Sequence, residues 1–555
     1  MDLFSLLLNT CGGLLLVAIL IPSLTFLSKL WRIRCRMQHL QKIGKPMPAH
    51  NIVLGHLLAA KATSDELPPG AHGCYVLDGK RDLPAYYFDI YPVTDPLLVI
   101  RDPYMANQAI NHPWVSSQKP DGLTEWFHPI SGNNGINLFT QNGQEWKLDH
   151  NLFLPFFNNS NLDAKLPTVL NEMLIFRNIL RQKAKAGNLF RLEPLTLSLM
   201  NDVTGHIVFN AELANQTSSS HHPLSDTMLR QLALKFAANN VMASFGQLNP
   251  VRAFKTWNNS RILNQHLRLQ ILKRTDTFRH AKSRDEQSGS SSLLDQALES
   301  YYSEPGRNHS DPLDPDFMTM LCAQLRMFFF AGYDSTSSTM ISCCYMIWKH
   351  PEVLAKLRAE HDAVFGRNIA ACPGMIAAKP SILNSLPYTL AVIKEALRLF
   401  PPANGIRKSH KDLVLKDRDG NEYATEGCLV QMNHYSIHRN PKYWPRPTEF
   451  LPERFLVGPD DELYPAKGAW RTFEFGTRNC IGQAFVFKEL KAFLAIICRE
   501  FDIQECYDEV YAGEKIDLTN VAHEKAYMVE RGSAHLRGDF PCKVSLSNYV
   551  PSEAQ

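Results

Sequence analysis

The sequence lacks several features that would point to other classes of protein. Its charge is nearly balanced, with 58 lysine and arginine residues against 55 acidic residues, so no overall basic field is present to hold nucleic acid. The 12 cysteines include no C-x-x-C pair, and their irregular spacing is not that of a secreted disulfide framework. G-x-G-x-x-G and Walker-type loops are also absent, so the sequence shows no nucleotide site of its own.

Apolar residues make up 45% of the 555 residues, which excludes a disordered or collagen-like chain. Length alone suggests roughly three or four domains of average size. Three long segments are predicted as helices, Phe317–Lys349, Pro387–Phe400 and Ile481–Phe501. The strand-like runs, such as Leu97–Ile100 and Asp412–Leu415, are few and short. The sequence therefore predicts a mainly α protein with small β-sheets.

The N-terminal segment has the pattern of a membrane anchor. No charged residue occurs from Leu3 to Ser28, a stretch long enough to cross a bilayer as a helix. Basic residues follow this run rather than precede it, which disfavours a cleaved signal peptide and predicts that the following residues face the cytosol. We expect residues 1–30 to be a single-pass transmembrane anchor, residues 31–50 a basic, proline-containing hinge, and residues 51–555 the globular body.

A glycine-containing turn places Cys480 directly before the helix predicted from Ile481. A helix N-terminus presents free N–H groups and partial positive charge, and both favour the thiolate, the form of cysteine that ligates metals or attacks as a nucleophile. Gly476 permits a positive φ, and Gly482 lets something flat and bulky approach the backbone. Arg478 adds a cation two residues from the sulfur. No histidine follows at the spacing of a Cys–His pair, which disfavours a nucleophile.

This stretch resembles the haem-binding signature of the cytochrome P450 family, and the chain is most similar to fungal members of secondary metabolism. The matching positions are Phe473, Gly476, Arg478, Cys480 and Gly482. The resemblance implies the cytochrome P450 fold, with one large haem-binding catalytic domain over residues 51–555 instead of several domains. It also implies haem b as the cofactor, with the Cys480 thiolate as the axial iron ligand and Arg478 reaching a haem propionate.

Two motifs earlier in the chain support the resemblance. Glu395 and Arg398 place opposite charges at i and i+3 on one face of the second predicted helix. Arg454 lies in Phe450–Phe455, which resembles the family segment whose arginine completes this ionic core. Buried charges are tolerated only when they are fully hydrogen-bonded. The resemblance therefore gives Glu395, Arg398 and Arg454 a structural role, in which they hold the Cys480 loop.

The first predicted helix carries an acid and two hydroxyls within an apolar run, at Asp334, Ser335 and Thr336. A buried aspartate is costly unless it is paired or functional. By resemblance, Asp334 and the adjacent alcohol deliver protons during oxygen activation. Ser335 stands where the family usually has threonine, so we expect looser proton delivery and some leakage of peroxide. Thr336 is an alternative source of the hydroxyl, and a polar notch without a catalytic role is a further interpretation.

The resemblance also implies contacts to the haem propionates and a substrate pocket. Trp146 and Arg407 occupy family positions for propionate contacts. His150 stands where arginine is usual, and we expect a weaker contact because unperturbed histidine is mostly neutral at neutral pH. The expected pocket is lined by Trp126–Asn137, Phe329, Phe330 and Ala403–Ile406. These residues are mostly aromatic or aliphatic, which fits a lipophilic substrate.

The function implied is that of a monooxygenase, which inserts one oxygen atom from O2 into a C–H or C=C bond of a lipophilic small molecule. Hydroxylation or epoxidation in fungal biosynthesis of mycotoxins, polyketides or terpenoids is the expected setting. One alternative is a haem-thiolate isomerase or dehydratase that needs no external electrons. Another is a non-catalytic, membrane-bound haem sensor. Retention of Asp334 beside a hydroxyl favours the monooxygenase.

Electrons must come from a partner, since the chain shows no nucleotide site. For a membrane-anchored member of the family, this partner would be an NADPH-dependent flavoprotein reductase. Lys488 and Lys491 are candidate docking residues on the cysteine side, although lysines of this kind are more often simply solvated. We expect the protein at the endoplasmic reticulum membrane, with the catalytic domain facing the cytosol and no nucleic acid partner.

Overall fold

The computed structural model describes residues 3–79, 83–236, 249–280, 292–308 and 311–551, with the backbone alone for residues 3–19 and 279–280. Helices dominate, as the sequence predicts. In chain order they are α1 (Leu3–Lys42), α2 (Leu57–Asp65), α3 (Gly73–Val76), α4 (Pro103–Asn111), α5 (Gly122–Ser131), α6 (Gly143–Phe153), α7 (Asn159–Ala186), α8 (Glu193–Phe209), α9 (Pro223–Phe236), α10 (Pro250–His280), α11 (Leu293–Tyr302), α12 (Pro315–Lys349), α13 (Pro351–Phe365), α14 (Cys372–Ala378), α15 (Pro387–Leu399), α16 (His434–His438), α17 (Gln483–Ile497) and α18 (Tyr507–Val510).

The β structure is small and divided among several sheets. The strands are β1 (Ala85–Phe88), β2 (Leu97–Ile100), β3 (Phe190–Arg191), β4 (Gly405–Arg407), β5 (Val414–Lys416), β6 (Glu422–Ala424), β7 (Leu429–Met432), β8 (Phe501–Glu505), β9 (Met528–Glu530), β10 (Ala534–Leu536) and β11 (Pro541–Leu546). One sheet has the order β1-β2-β7-β4, with β2 and β7 parallel. A second has the order β3-β11-β8, while β5–β6 and β9–β10 form two-stranded antiparallel pairs.

The three predicted helices are present with small shifts at their ends. The first begins two residues earlier than predicted, at Pro315, and proline is well suited to the first helical turn. The second ends at Leu399, one residue before the prediction. The third ends at Ile497, because Phe501 begins strand β8 instead of completing the helix. The predicted strand at Leu97–Ile100 is confirmed as β2.

Helix α12 runs through the largest hydrophobic cluster and carries the central part of the candidate site. Most of its side chains are buried, and a methyl group at Gly332 would lie 3.1 Å from the Thr204 side chain of α8. Within this buried helix, Ala331 is exposed and Ser335 is half-buried. Residues four apart share a helix face, so these two side chains form one accessible strip.

The segment 31–50 was predicted as a basic, proline-containing hinge, but residues 31–42 are helical in the structure. Helix α1 continues to Lys42, and Ile33, Met37 and Leu40 pack into a hydrophobic cluster with residues of β1, β2 and β7. Their spacing of i, i+4 and i+7 is that of one apolar helix face. The buried Arg34 pairs with Asp89 on the same side of the molecule. This stretch is therefore part of the globular body.

Among the described parts of the chain, no helix has the combination of length and apolar character needed to cross a membrane. The predicted anchor at residues 1–30 falls largely on residues whose side chains lie outside the description. It therefore stays a prediction.

Candidate active site

Cys480 lies at the end of a tight turn that begins at Gly476. Gly476 has a φ of 75°, a left-handed conformation that favours glycine, and Cys480 N–H donates to the Phe473 carbonyl at 2.9 Å. A methyl group at Gly482 would lie 3.9 Å from the Cys480 sulfur. The turn thus presents the thiol at the beginning of α17, as the sequence predicts.

The surroundings of the sulfur are those of a metal ligand more than of a free nucleophile. The Cys480 side chain is exposed, yet burial among protein atoms raises the pKa of its thiol, against the lowering effect of hydrogen bonds from the backbone of Gly482 and Gln483. A coordinated metal cation removes the thiol proton outright, so this position is suited to binding a metal-containing group.

Arg478 is half-buried against Trp146 and connects the cysteine turn to a loop distant in sequence. Its guanidinium lies 4.4 Å from the centroid of the Trp146 ring, and it donates to the carbonyls of Ser117 at 2.8 Å and Leu138 at 3.2 Å. Burial, with the nearby charge of Arg407, lowers the Arg478 pKa to about 9. Two neighbouring cations, Arg478 and Arg407, favour an anionic group on this side of the site.

Arg407 also indicates that an anionic group binds on this side of the site. It is fully buried, and its Nε and Nη2 atoms have no hydrogen-bond partner within the described residues. Its nearest carboxylate, that of Glu474, is 3.9 Å away. Buried N–H groups without partners are uncommon and mark a missing acceptor. The unpartnered N–H groups of Arg407, beside the guanidinium of Arg478 that lies over Trp146, therefore fit a propionate group of haem.

A third cation, Lys119, was not found by the sequence analysis. Burial and the charges of Arg407 and Arg478 lower its pKa well below the ordinary value, and its Nζ lies 4.3 Å from the centroid of the Phe139 ring. His150, in contrast, packs its ring 4.9 Å from the centroid of Trp146. Lys119 therefore adds a third basic side chain to the group formed by Arg407 and Arg478.

Glu474 is a second residue that the sequence analysis missed, since it occupies a variable position of the haem-binding signature. It has a strained φ of 56° and accepts hydrogen bonds from Arg471 at 3.0 Å and His434 at 2.7 Å. Burial raises the pKa of Glu474, but Arg471, His434 and Arg407 outweigh that effect and hold it well below the ordinary value. Gly405 allows this arrangement, because a methyl group there would overlap the carboxylate of Glu474.

The predicted ionic core is assembled as expected. Arg398 donates to both carboxylate oxygens of Glu395 at 2.8 Å, and Arg454 donates to the same carboxylate at 3.1 Å. All three side chains are fully buried. Further N–H groups of Arg398 donate to the carbonyls of His438 and Pro447. His438 accepts the N–H of Arg471 through Nε2, and Arg471 binds Glu474. The core is thereby linked to the turn before Cys480.

The three polar residues of α12 are not equivalent. Ser335 lies on the accessible strip and donates to the Ala331 carbonyl at 2.9 Å. Thr336 is buried, and its hydroxyl has no partner within the described residues. Because successive helix residues point in directions about 100° apart, the Thr336 hydroxyl leaves the strip. The structure therefore places Ser335, and not Thr336, at the accessible face, which corrects the inclusion of Thr336 as a candidate.

Asp334 is buried and fully engaged by the β9–β10 hairpin. Its Oδ2 accepts the N–H of Ser533 at 2.7 Å, and its Oδ1 lies 3.3 Å from Nε2 of His535. His535 was not recognised from the sequence, where it lies two hundred residues further along the chain and carries no motif. The predicted acid is therefore present beside the predicted alcohol, but it is paired with a histidine.

Gln324 joins α12 to the loop that holds Arg478. Its Oε1 accepts the N–H of Leu138 at 2.8 Å, and the carbonyl of Leu138 accepts a hydrogen bond from Arg478. One loop residue therefore connects the helix of Asp334 and Ser335 with the turn of Cys480. The residues of both motifs belong to one connected framework.

The predicted pocket residues divide into lining and core positions. Trp126 is partly exposed, with its ring 5.4 Å from that of Phe236, and Ala403 is exposed. Phe329 is fully buried and packs against Phe209 and Tyr333. Phe329 is therefore a core residue of α12, which corrects its assignment to the pocket.

The two lysines predicted to receive a partner are not free charges. Lys491 is buried and donates to the Leu383 carbonyl at 2.9 Å, while Lys488 forms an ion pair with Asp163. Helix α17 is packed on this side, which the positions of the lysines in the sequence did not reveal. Lys491 is therefore not exposed to a partner, and docking at Lys488 stays a prediction.

Comparison with known proteins agrees with this site. The family model for Cytochrome P450 matches residues 84–528, and the chain belongs to the cytochrome P450 family. Members of this family bind haem through a cysteine thiolate and take electrons from a redox partner.

Several curated fungal proteins are similar over most of their length. Cytochrome P450 monooxygenase polC of Polytolypa hystricis is 35% identical over 94% of this chain and 93% of its own. Cytochrome P450 monooxygenase acrF of Aspergillus aculeatus is 28% identical over 82% of this chain and 93% of its own. Cytochrome P450 monooxygenase ptmG of Penicillium ochrochloron is 26% identical over 90% of this chain and 89% of its own.

Proposed function

We propose that the protein is a haem-thiolate monooxygenase, which inserts one oxygen atom from O2 into a lipophilic small molecule by hydroxylation or epoxidation. The observation that carries this proposal is the connection between two groups of residues. Cys480 presents an accessible thiol, and Ser335 presents a hydroxyl on the accessible strip of α12 beside Asp334. The similarity to three proteins named as monooxygenases supports the same reaction.

Haem b, when bound through a thiolate, supplies the reductive cleavage of dioxygen. The residues of the chain bind, orient and supply protons. We propose Cys480 as the axial ligand, with Arg407, Arg478 and Lys119 as the cations that hold the propionates. Ser335 donates a proton from its hydroxyl, which Asp334 restores. Serine lacks the methyl group that restricts rotation in threonine, so this step is expected to be less tightly coupled than with threonine.

We propose NADPH as the source of electrons, delivered through a separate flavoprotein reductase. The substrate proposed is an intermediate of fungal secondary metabolism, of the polyketide, terpenoid or mycotoxin type. The exposed aromatic and aliphatic side chains at Trp126 and Ala403 support a lipophilic molecule. The fold itself does not fix the substrate.

Replacing Ser335 with alanine tests the reaction class. We expect Ser335→Ala to bind haem normally and to raise the hydrogen peroxide released per NADPH by about tenfold, because removing a positioned proton donor slows proton transfer by large factors. The measurement is NADPH consumption, oxygen uptake and peroxide in the presence of a flavoprotein reductase and a panel of lipophilic substrates.

Thr336→Val is the matched control for this experiment. It removes the neighbouring hydroxyl, which has no partner within the described residues, so coupling should stay at the wild-type level. Equal peroxide release from both variants would refute the assignment of Ser335. Turnover of substrate without NADPH or reductase would instead identify an isomerase or dehydratase.

We further propose that residues 1–30 anchor the protein in the endoplasmic reticulum membrane, with the catalytic domain in the cytosol. The uncharged run from Leu3 to Ser28 and the basic residues that follow it support this proposal. The full chain should stay with membranes after alkaline carbonate washing, whereas a chain that starts at Trp31 should be released. Release of the full chain by carbonate would contradict the anchor.

A further inference from the structure

Asp334, His535 and Glu193 form a buried acid–histidine–acid triad. Nε2 of His535 lies 3.3 Å from Oδ1 of Asp334, and Nδ1 of His535 forms a hydrogen bond with Oε1 of Glu193. The three residues come from α12, β10 and α8, and they are 3%, 2% and 1% exposed. Three ionisable groups are costly to bury, so this contact needs a reason beyond packing.

The β9–β10 hairpin is shaped to reach Asp334. Its turn includes Gly532, with a φ of 129°, where a methyl group would lie 2.9 Å from Oδ2 of Asp334. The next residue, Ser533, donates its backbone N–H to that oxygen at 2.7 Å. On the following turn of α12, the Ser338 hydroxyl donates to the Ala534 carbonyl. The hairpin is therefore hydrogen-bonded to α12 at Asp334 and one turn further along the helix, at Ser338.

The charges around the triad favour a protonated histidine between two carboxylates. Burial lowers the pKa of His535, but Glu193 and Asp334 outweigh burial and raise it to about 10. The hydroxyl of Ser533 lies 3.1 Å from Nε2.

The other titratable groups near Glu193 are Arg531, Asp539 and Tyr507 of α18. Arg531 and Asp539 form an ion pair with each other. Tyr333 is the other titratable group beside Asp334. Burial raises the pKa values of both tyrosines well above the ordinary value, so neither adds a charge at neutral pH. His535 is therefore the cation that contacts both carboxylates.

We propose that His535, fixed by Glu193, is a positioning residue that holds the Asp334 carboxylate in place against the hairpin. This inference rests on the proposed monooxygenase function. Ionised Asp334 accepts a proton from solvent on one carboxylate oxygen and passes it to the Ser335 hydroxyl, after that hydroxyl has given up its own proton. Asp334 ends the cycle ionised again, and no electrons move in this step. The hairpin is thereby part of the proton-delivery apparatus.

Two variants test the triad. Glu193→Gln keeps a hydrogen-bond acceptor for His535 and loses the charge, whereas His535→Gln removes the cation. In wild type, product formed per NADPH should vary less than about twofold between about pH 6 and pH 9, because the raised pKa of His535 keeps a cation beside Asp334 over this range. In His535→Gln it should fall about fivefold as the pH is lowered over that range, because an unpaired buried carboxylate takes up a proton. Glu193→Gln should show the same trend with a smaller amplitude.

A second readout does not depend on turnover. In NMR spectra of the haem-loaded enzyme with isotope-labelled histidine, the His535 signals are identified by their loss in His535→Gln. They should be those of a protonated ring at about pH 8, well above the ordinary titration of histidine near 6.5, and Glu193→Gln should lower the titration midpoint. His361→Gln is the matched control, because His361 is also fully buried but lies at Thr389, away from the triad.

A flat pH profile in His535→Gln, or a His535 that titrates near its ordinary pKa in wild type, would overturn the proposal. Should His535→Gln fail to fold, Glu193→Gln alone decides the matter, because a shifted profile and a shifted titration are both required. If no NADPH-dependent product forms with the wild type, the monooxygenase function fails, whereas the NMR result still reports on the triad.

Discussion

Cys480→Ser should give a protein without the long-wavelength absorption band of a thiolate-ligated haem carbonyl, and without turnover. Serine keeps the turn, since the backbone hydrogen bond from residue 480 to the Phe473 carbonyl remains. It removes the sulfur that donates electron density to iron. Loss of an outer-shell partner costs about 10–100-fold in metal affinity or activity, and loss of the axial ligand should exceed that. The measurement is the absorption spectrum of the reduced protein under carbon monoxide.

Cys35→Ser is the matched control, since Cys35 is the other exposed cysteine among the described residues and lies on α1, far along the chain from the turn. Its carbonyl spectrum and turnover should equal those of wild type. A normal long-wavelength band in Cys480→Ser would show that another group ligates the iron, and the proposed function would then lose its central residue.

Glu395→Ala should prevent stable haem incorporation. The substitution leaves Arg398 and Arg454 as buried cations without their carboxylate, and breaking a buried ion pair in this way costs about 3–5 kcal/mol. That is a large part of the stability of an ordinary domain, about 5–15 kcal/mol. We expect soluble yield and haem content per protein to fall sharply, as measured by absorption and by thermal unfolding.

Glu449→Ala tests whether this loss comes from the buried pair. The Glu449 side chain is half-exposed and lies 3.7 Å from Arg446, whereas its backbone carbonyl accepts a hydrogen bond from Arg398 and is kept in the variant. A surface pair contributes about 0–1 kcal/mol, so haem content should stay at the wild-type level. A haem-loaded Glu395→Ala protein of normal stability would refute the structural role of the core.

The residues that sequence predicted best are those whose chemistry is local. The turn at Cys480 follows from glycines and a helix start within a few residues. Glu395 and Arg398 were found because their spacing places them on one helix face. Ser335 and Thr336, however, are neighbours in sequence, and only their burial in the folded chain separated them.

The residues that sequence missed act across long separations. Lys119 meets Arg407 and Arg478 only after folding, and His535 meets Asp334 through a hairpin that carries no motif. The burial of Lys491 likewise depends on what packs over α17. Composition and spacing describe what a residue can do. They do not describe which distant side chains will surround it.

The C-terminal end of α1 is fixed to the globular body. Ile33, Met37 and Leu40 pack against residues of β1, β2 and β7. Arg34 forms a buried ion pair with Asp89. Because α1 is packed in this way, the direction of its C-terminal part is fixed relative to the rest of the molecule. A shortened chain for crystallography should therefore keep residues from Trp31 onward. Cutting after Lys42 would expose the hydrophobic cluster on which α1 packs and would leave Asp89 without the guanidinium of Arg34.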